Sequence, residues 1–171
     1  MEACMVPTLS ESISTLLART TDQTVLCREI ALLLPDFLAQ AHRLPETLRR
    51  PDPISYRRSL LHEAVDGGFS IGCFVWSPGQ HTPIHDHAGW GVIGVAAGAL
   101  RETSYRLEQG RPLAAGGSRI ARGECVWCLP EEEGIHQIGA EGDEVALSIH
   151  VYGAPFSAVC RTLYALTETA S

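Results

Sequence analysis

Lysine is absent from this chain of 171 residues, and all 13 of its basic side chains are arginine. That excludes Schiff-base and pyridoxal phosphate lysines and the lysine of a P-loop. Positive charge is scarce as a whole. The formal net charge of -7 leaves no basic footprint for nucleic acid, which is not expected as a partner. No apolar run approaches the roughly 18 residues that a membrane span needs, so no membrane partner is expected either. The opening Met1-Glu2-Ala3-Cys4 lacks the basic-then-apolar layout of a signal peptide. A cytoplasmic monomer or small homo-oligomer is the expectation.

What is present reads as a globular chain. The hydrophobic share of 45% is ordinary, and the length suits a single domain over residues 1–171. Six cysteines, Cys4, Cys27, Cys73, Cys125, Cys128 and Cys160, are scattered and expected to be reduced and mostly buried. Cys125 and Cys128 form a C-x-x-C pair in strand-like surroundings. Positions three apart on a strand face opposite ways, which suits neither a redox pair nor a zinc knuckle.

Residues 8 to about 48 read as helical. Leu9, Ile13, Leu16 and Leu17 have helix spacing, with Ser10 as a cap. Val25, Leu26, Ile30, Leu33 and Leu34 continue it. Pro35 is expected to open a third short helix through Phe37, Leu38 and Ala41. The stretch from Arg49 to Pro53 is a breaker. From there short alternating segments follow, over 69–76, 90–96, 99–106, 124–129 and 145–152. Turn signals fall at 66–68, 78–79, 109–110, 116–117 and 141–143. Many short strands with regular turns predict a sandwich or barrel. Residues 158–166 read equally as a last strand or a short helix.

His85 and His87 are two apart, which on a strand places both rings on one face and Asp86 on the other. His136 lies far downstream, after a turn, where an opposing strand can present it. Three histidines then offer a metal site with no carboxylate among them. Such a site leaves up to three positions open on an octahedral metal and keeps the full dipositive charge. It favours an anionic ligand such as a thiolate, with room left for oxygen. Zinc with three histidines and a water is the competing reading, and histidines that merely pack is the plain one. Gly79, His85, His87 and Gly98 resemble the first motif of the cupin superfamily, whose glutamate slot falls here on Gly91 or Val92. Gly123, Pro130, Gly134 and His136 resemble the second motif, with Ala140 at its last position. The resemblance implies a mainly β fold, a cupin double-stranded β-helix (a jelly-roll-like barrel) over 51–171, preceded by N-terminal helices over 1–50.

The segment 145–152 alternates cleanly. Val145, Leu147, Ile149 and Val151 face one side and Ser148, His150 and Tyr152 the other. A hydroxyl, an imidazole and a phenol on one face can form a hydrogen-bonded chain in which Ser148 orients His150 and His150 orients Tyr152. Ser148 has no nucleophile elbow around it. With His85, His87 and His136, with Tyr56-Arg57-Arg58 and with Gly98 to Thr103, the chain resembles the bacterial form of the cysteine dioxygenase family from about Pro51 to Tyr164.

That resemblance implies Fe(II) on His85, His87 and His136, and an outer triad of Ser148, His150 and Tyr152 as the catalytic residues. It implies substrate binding by Tyr56, Arg58 and Arg161. Arg58 matches an arginine that pairs with the substrate carboxylate in cysteine-specific members, and a guanidinium fork suits that task. Arg161, nine residues after Tyr152, matches an arginine of members acting on 3-mercaptopropionate. Having both arginines departs from either pattern and would suit a dicarboxylate thiol such as mercaptosuccinate; L-cysteine is favoured, with 3-mercaptopropionate or mercaptosuccinate as alternatives. The implied partners are a small thiol and O2. Gly91 stands where animal members carry a cysteine cross-linked to the triad tyrosine, which implies an unmodified Tyr152.

Gly89, Gly91 and Gly94 also satisfy G-x-G-x-x-G. A dinucleotide site would need a strand before this stretch and a helix after it, and neither is expected. A non-catalytic cupin that binds a metal or small ligand is the alternative of another class. It has no use for the aligned Ser148, His150 and Tyr152.

Overall fold

The structure, a computed structural model, describes residues 5–130 and 134–165. Cys4 and Leu166 of the expectations above lie outside these residues. The chain starts with two helices, α1 (Met5–Arg19) and α2 (Gln23–Gln40), then the short α3 (Glu46–Arg49). Ten strands follow: β1 (Arg57–Glu63), β2 (Ser70–Trp76), β3 (Ile84–His87), β4 (Gly91–Ala97), β5 (Ala99–Glu108), β6 (Arg111–Ala121), β7 (Cys125–Cys128), β8 (His136–Ala140), β9 (Ala146–Tyr152) and β10 (Cys160–Tyr164). They form two five-stranded sheets, ordered β1-β2-β9-β4-β7 and β10-β3-β8-β5-β6, in which every pair is antiparallel. This is the barrel expected from the strand pattern.

Three local expectations are corrected. Ser10 is no cap: it lies inside α1 and donates to the Pro7 carbonyl at 2.9 Å. The side-chain cap belongs to α2, where Asp22 accepts from the Thr24 and Val25 amides. Pro35 opens no new helix, because α2 runs straight through it. An interior proline costs about 3 kcal/mol. Leu34, Phe37 and Leu38 around it are buried, and each apolar side chain so buried returns roughly 1.5–3 kcal/mol. Finally, Gly116 and Gly117 make no turn. They sit within β6, next to a bulge opposite Ser104 and Tyr105. The real turn is Gln109-Gly110, where both residues take positive φ (50° and 77°) and close the β5–β6 hairpin. Within the described part of 158–166, Ala158 ends a 3-10 turn and Cys160–Tyr164 form a strand, β10 on β3.

The helices lie against the first sheet, with α2 on β4 and β7 and α1 on β1. This gives two apolar layers. Between helices and sheet pack Leu26, Ile30, Leu34, Leu38, Ile71, Val75, Val92, Ile149 and Val151. Between the sheets pack Phe74, Trp76, Ile93, Val95, Leu100, Ile120 and Ile138. Strands β2 and β9 are therefore buried along their whole length. Among the described residues, no helix is long and apolar enough to cross a membrane.

Candidate metal centre and its cavity

Strand β3 sends His85 and His87 into the cavity and turns Asp86, also buried, to the opposite face against Arg161 and Tyr164. His136 opens β8 directly opposite His85. The three rings are 8%, 2% and 3% exposed, and one ring nitrogen from each lies within 4.8 Å of the others. Two tautomers are set by their partners. His85 Nδ1 faces the Pro83 carbonyl at 2.9 Å, and His136 Nδ1 faces Glu102 Oε1 at 2.7 Å. Each partner can only accept, so each Nδ1 donates and each Nε2 keeps a lone pair for a metal. His87 Nε2 lies 2.9 Å from His136 Nε2, and the Val159 backbone stands beside the same ring. Burial first, then the charge of neighbouring His136, holds His85 down to about 4 and His87 down to about 3. Converging neutral imidazoles of this kind can hold a transition metal ion.

Glu102 was missed. The sequence suggested a centre with no carboxylate among its ligands, and the carboxylate stands instead one hydrogen bond behind His136. A ligand histidine that donates to a carboxylate becomes a better electron donor, so Glu102 would partly offset the charge of a metal held by His136. The signal was the parity of β5, where Glu102 shares a face with buried Leu100. Without the β5–β8 register, which puts Ser104 opposite His136, that parity names no partner.

The second row is assembled as expected. Ser148 Oγ lies 2.8 Å from His150 Nε2, and His150 Nδ1 lies 2.7 Å from the Tyr152 hydroxyl. Sequence reasoning missed two supports. Trp76 Nε1 donates to Ser148 Oγ at 2.9 Å, and the Phe74 ring stacks on His150 with centroids 3.9 Å apart. Burial, then the charge of His87, pushes His150 well below the ordinary imidazole range. Burial pushes the Tyr152 phenol upward. The chain is therefore a neutral imidazole beside a neutral phenol.

These groups share one cavity of about 220 Å³ with Tyr56, Arg58 and Leu163. Tyr56 stacks on Trp76, with centroids 4.5 Å apart. The Arg58 guanidinium lies 5.3 Å from the centre of the Phe74 ring and 5.0 Å from that of Phe156. It also donates to the Phe156 carbonyl at 3.4 Å. The Phe156 ring fits because residue 72 is glycine: a Cβ there would lie 2.6 Å from it.

Arg161 is placed elsewhere. Its guanidinium donates to Asp86 Oδ2 through Nε at 3.2 Å and through a terminal nitrogen at 2.7 Å. From this strand the cavity takes Cys160 and Leu163 but not Arg161. Cys160 pairs with His87, which faces the cavity, so the next residue, Arg161, falls by alternation on the face that carries Asp86. Burial alone would raise the Asp86 carboxyl, but hydrogen bonds from Arg161, Tyr164 and the Thr162 amide outweigh it and hold it below the usual range.

Cys125 and Cys128 face opposite sides of β7. Cys125 packs in the helix-side layer, and Cys128 lies near the cavity, where burial pushes its thiol up to about 12. A Cβ on Gly91 would lie 3.3 Å from Tyr152 Cδ1 and 3.4 Å from Cys128 Sγ. Gly89 and Gly94 are packing glycines too: a Cβ on either would meet the Gly153 carbonyl or Leu38. The stretch leads into β4, not a helix.

An antiparallel double-sheet barrel with three inward histidines defines the class, a cupin whose histidine group could hold a metal ion. A family model described as cysteine dioxygenase type I matches residues 7–163. The chain belongs to that family. Among solved structures it is similar to a protein with a double-stranded β-helix domain from Klebsiella pneumoniae (18% identity, 68% of this chain and 94% of that one, TM-score 0.53). It is also similar to a cupin superfamily protein from Desulfitobacterium hafniense (11% identity, 63% and 85%, TM-score 0.50). At these identities the likeness is one of fold.

Proposed function

We propose that this protein is a non-heme Fe(II) thiol dioxygenase, which converts a small thiol bearing a carboxylate, L-cysteine foremost, to the sulfinic acid. The observation that carries this reading is one 220 Å³ cavity lined by the His85, His87 and His136 cluster, Tyr152 and Arg58. The overall change is RSH + O2 → RSO2H. Sulfur loses four electrons, dioxygen gains four, and both oxygen atoms stay on sulfur, so no further reductant is needed; the product lies on the thiol oxidation ladder.

Iron(II) on the three Nε2 atoms would supply the one-electron chemistry that lets dioxygen react with a closed-shell thiolate. The protein's own groups do the rest. Arg58, braced by Phe74 and Phe156, pairs with the substrate carboxylate and aims the sulfur at the histidines. Tyr152, an unmodified phenol, hydrogen-bonds to the reacting atoms. Trp76, Phe74 and Ile93 line the cavity and keep bulk water out. Arg161 is engaged by Asp86, and among the described residues Arg58 is the guanidinium that lines the cavity. That supports a monocarboxylate over mercaptosuccinate and leaves 3-mercaptopropionate as the nearest rival. The reading takes the whole chain as one cytoplasmic unit, a monomer or small homo-oligomer.

The test is oxygen uptake by the Fe(II)-loaded protein with cysteine, 3-mercaptopropionate, cysteamine and mercaptosuccinate in parallel, with sulfinate followed by mass. Uptake matched mole for mole by sulfinate with cysteine is the expected result. Iron bound without uptake on any thiol sinks the reading and favours a binding cupin.

A further inference from the structure

The hydrogen-bonded row does not stop at Ser148. Trp76 Nε1 lies 2.9 Å from Ser148 Oγ, and both residues are fully buried. An indole nitrogen can only donate, so Ser148 Oγ is an acceptor toward Trp76. Its own proton has one remaining partner among the described residues, His150 Nε2 at 2.8 Å. If His150 carried its proton on Nε2 instead, the serine oxygen would accept twice and its buried hydroxyl proton would have no acceptor. Leaving a buried donor unmade is unfavourable. Ser148 therefore donates to Nε2. A neutral His150 then carries its proton on Nδ1 and donates it to the Tyr152 oxygen, 2.7 Å away. Tyr152 accepts there, and among the described residues its hydroxyl has no other partner. Its proton is left for the cavity.

We propose that Trp76 is a positioning residue that sets the direction of the whole chain, Trp76 to Ser148 to His150 to Tyr152, so that Tyr152 meets the cavity as a hydrogen-bond donor. The donor is matched to an anionic acceptor in the cavity, a thiolate sulfur or an oxygen gaining charge. With the reverse polarity, the same phenol would turn a lone pair toward that acceptor and repel it. Phe74, stacked on His150 at 3.9 Å, keeps the ring from turning over and exchanging its nitrogens. Trp76 is itself held in a stack by Tyr56 at 4.5 Å, so its N–H has one direction available. The consequence for activity rests on the proposed dioxygenase reaction, but the polarity does not.

The test reads the histidine ring tautomers in metal-free protein labelled with 15N-histidine, with His150 identified by the signals lost in a His150→Gln variant. The expected result is a single His150 tautomer with the proton on Nδ1. A proton on Nε2 in the unaltered protein overturns the proposal without recourse to any variant. Trp76→Phe keeps an aromatic ring and removes the N–H. In a folded Trp76→Phe protein, we expect both His150 tautomers to be populated and kcat to fall about tenfold with KM nearly unchanged. An unaltered tautomer in that variant overturns the role of Trp76. The tautomer is read without metal or substrate, so an inactive enzyme would count against the dioxygenase reading and not against this one.

Discussion

Along β9, the two faces of one strand are held by different physics. Leu147, Ile149 and Val151 enter the layer under the helices, where burial is non-directional and needs only volume and fit. Ser148, His150 and Tyr152 lie on the other face, where His150 and Tyr152 reach the cavity and each buried polar atom needs a partner of opposite role. The outer face tolerates a change of shape at a cost in stability. The inner face tolerates almost no change of donor for acceptor, whatever its volume. The alternation of a single strand thus separates apolar packing from the hydrogen-bonded row to which the proposed function is assigned.

The largest expected effect comes from breaking the outer face alone. Ile149 is fully buried between β9 and the helices. Ile149→Ala should cost about 3 kcal/mol of unfolding free energy in a denaturant titration, within the range for truncating a buried aliphatic side chain. Turnover per folded molecule should stay within about twofold. A loss of kcat as large as the loss of stability would mean that the two faces are coupled.

A sharper cut lies on the second sheet. Glu102→Gln keeps the shape behind His136 and removes the charge, because an amide oxygen can still accept from Nδ1. Partners of ligand histidines are typically worth 10–100-fold in metal affinity. Metal binding followed by titration calorimetry should weaken by at least about tenfold, while the melting temperature of the metal-free protein moves little. Unchanged affinity would reduce Glu102 to a structural contact.

The same contrast explains what could be read in advance. The face of β9 and the pair on β3 follow from a period of two, which is local and needs no partner strand. The covering helices were legible because their apolar residues repeat at 3.6, although Pro35 misled: a local rule for proline lost to the tertiary burial of Leu34, Phe37 and Leu38. Glu102, Trp76 and Phe156 stayed hidden because their roles depend on register between strands distant in sequence. Trp76 reaches Ser148 across 72 positions, and the Arg58 guanidinium meets the Phe156 carbonyl across 98. The place of Arg161 stayed hidden for a related reason: a fixed offset from Tyr152 does not say which face of β10 a residue takes, and the pairing of Cys160 with His87 is what puts Arg161 beside Asp86.

The smallest expected effect separates the two arginines. Arg58→Ala removes a charge-assisted partner for the substrate carboxylate, a contact of roughly 1.5–3 kcal/mol, so KM for cysteine should rise at least about tenfold. Arg161 is 47% exposed on its side chain, and its Asp86 keeps the Thr162 amide and the Tyr164 hydroxyl when the guanidinium is gone. Arg161→Ala should therefore cost only about 1 kcal/mol, as half-exposed ion pairs do, with KM unchanged for cysteine and 3-mercaptopropionate alike. If KM for 3-mercaptopropionate rose in Arg161→Ala and not in Arg58→Ala, the two arginines would have exchanged roles, and the guanidinium at Asp86 would have to leave it when that substrate binds.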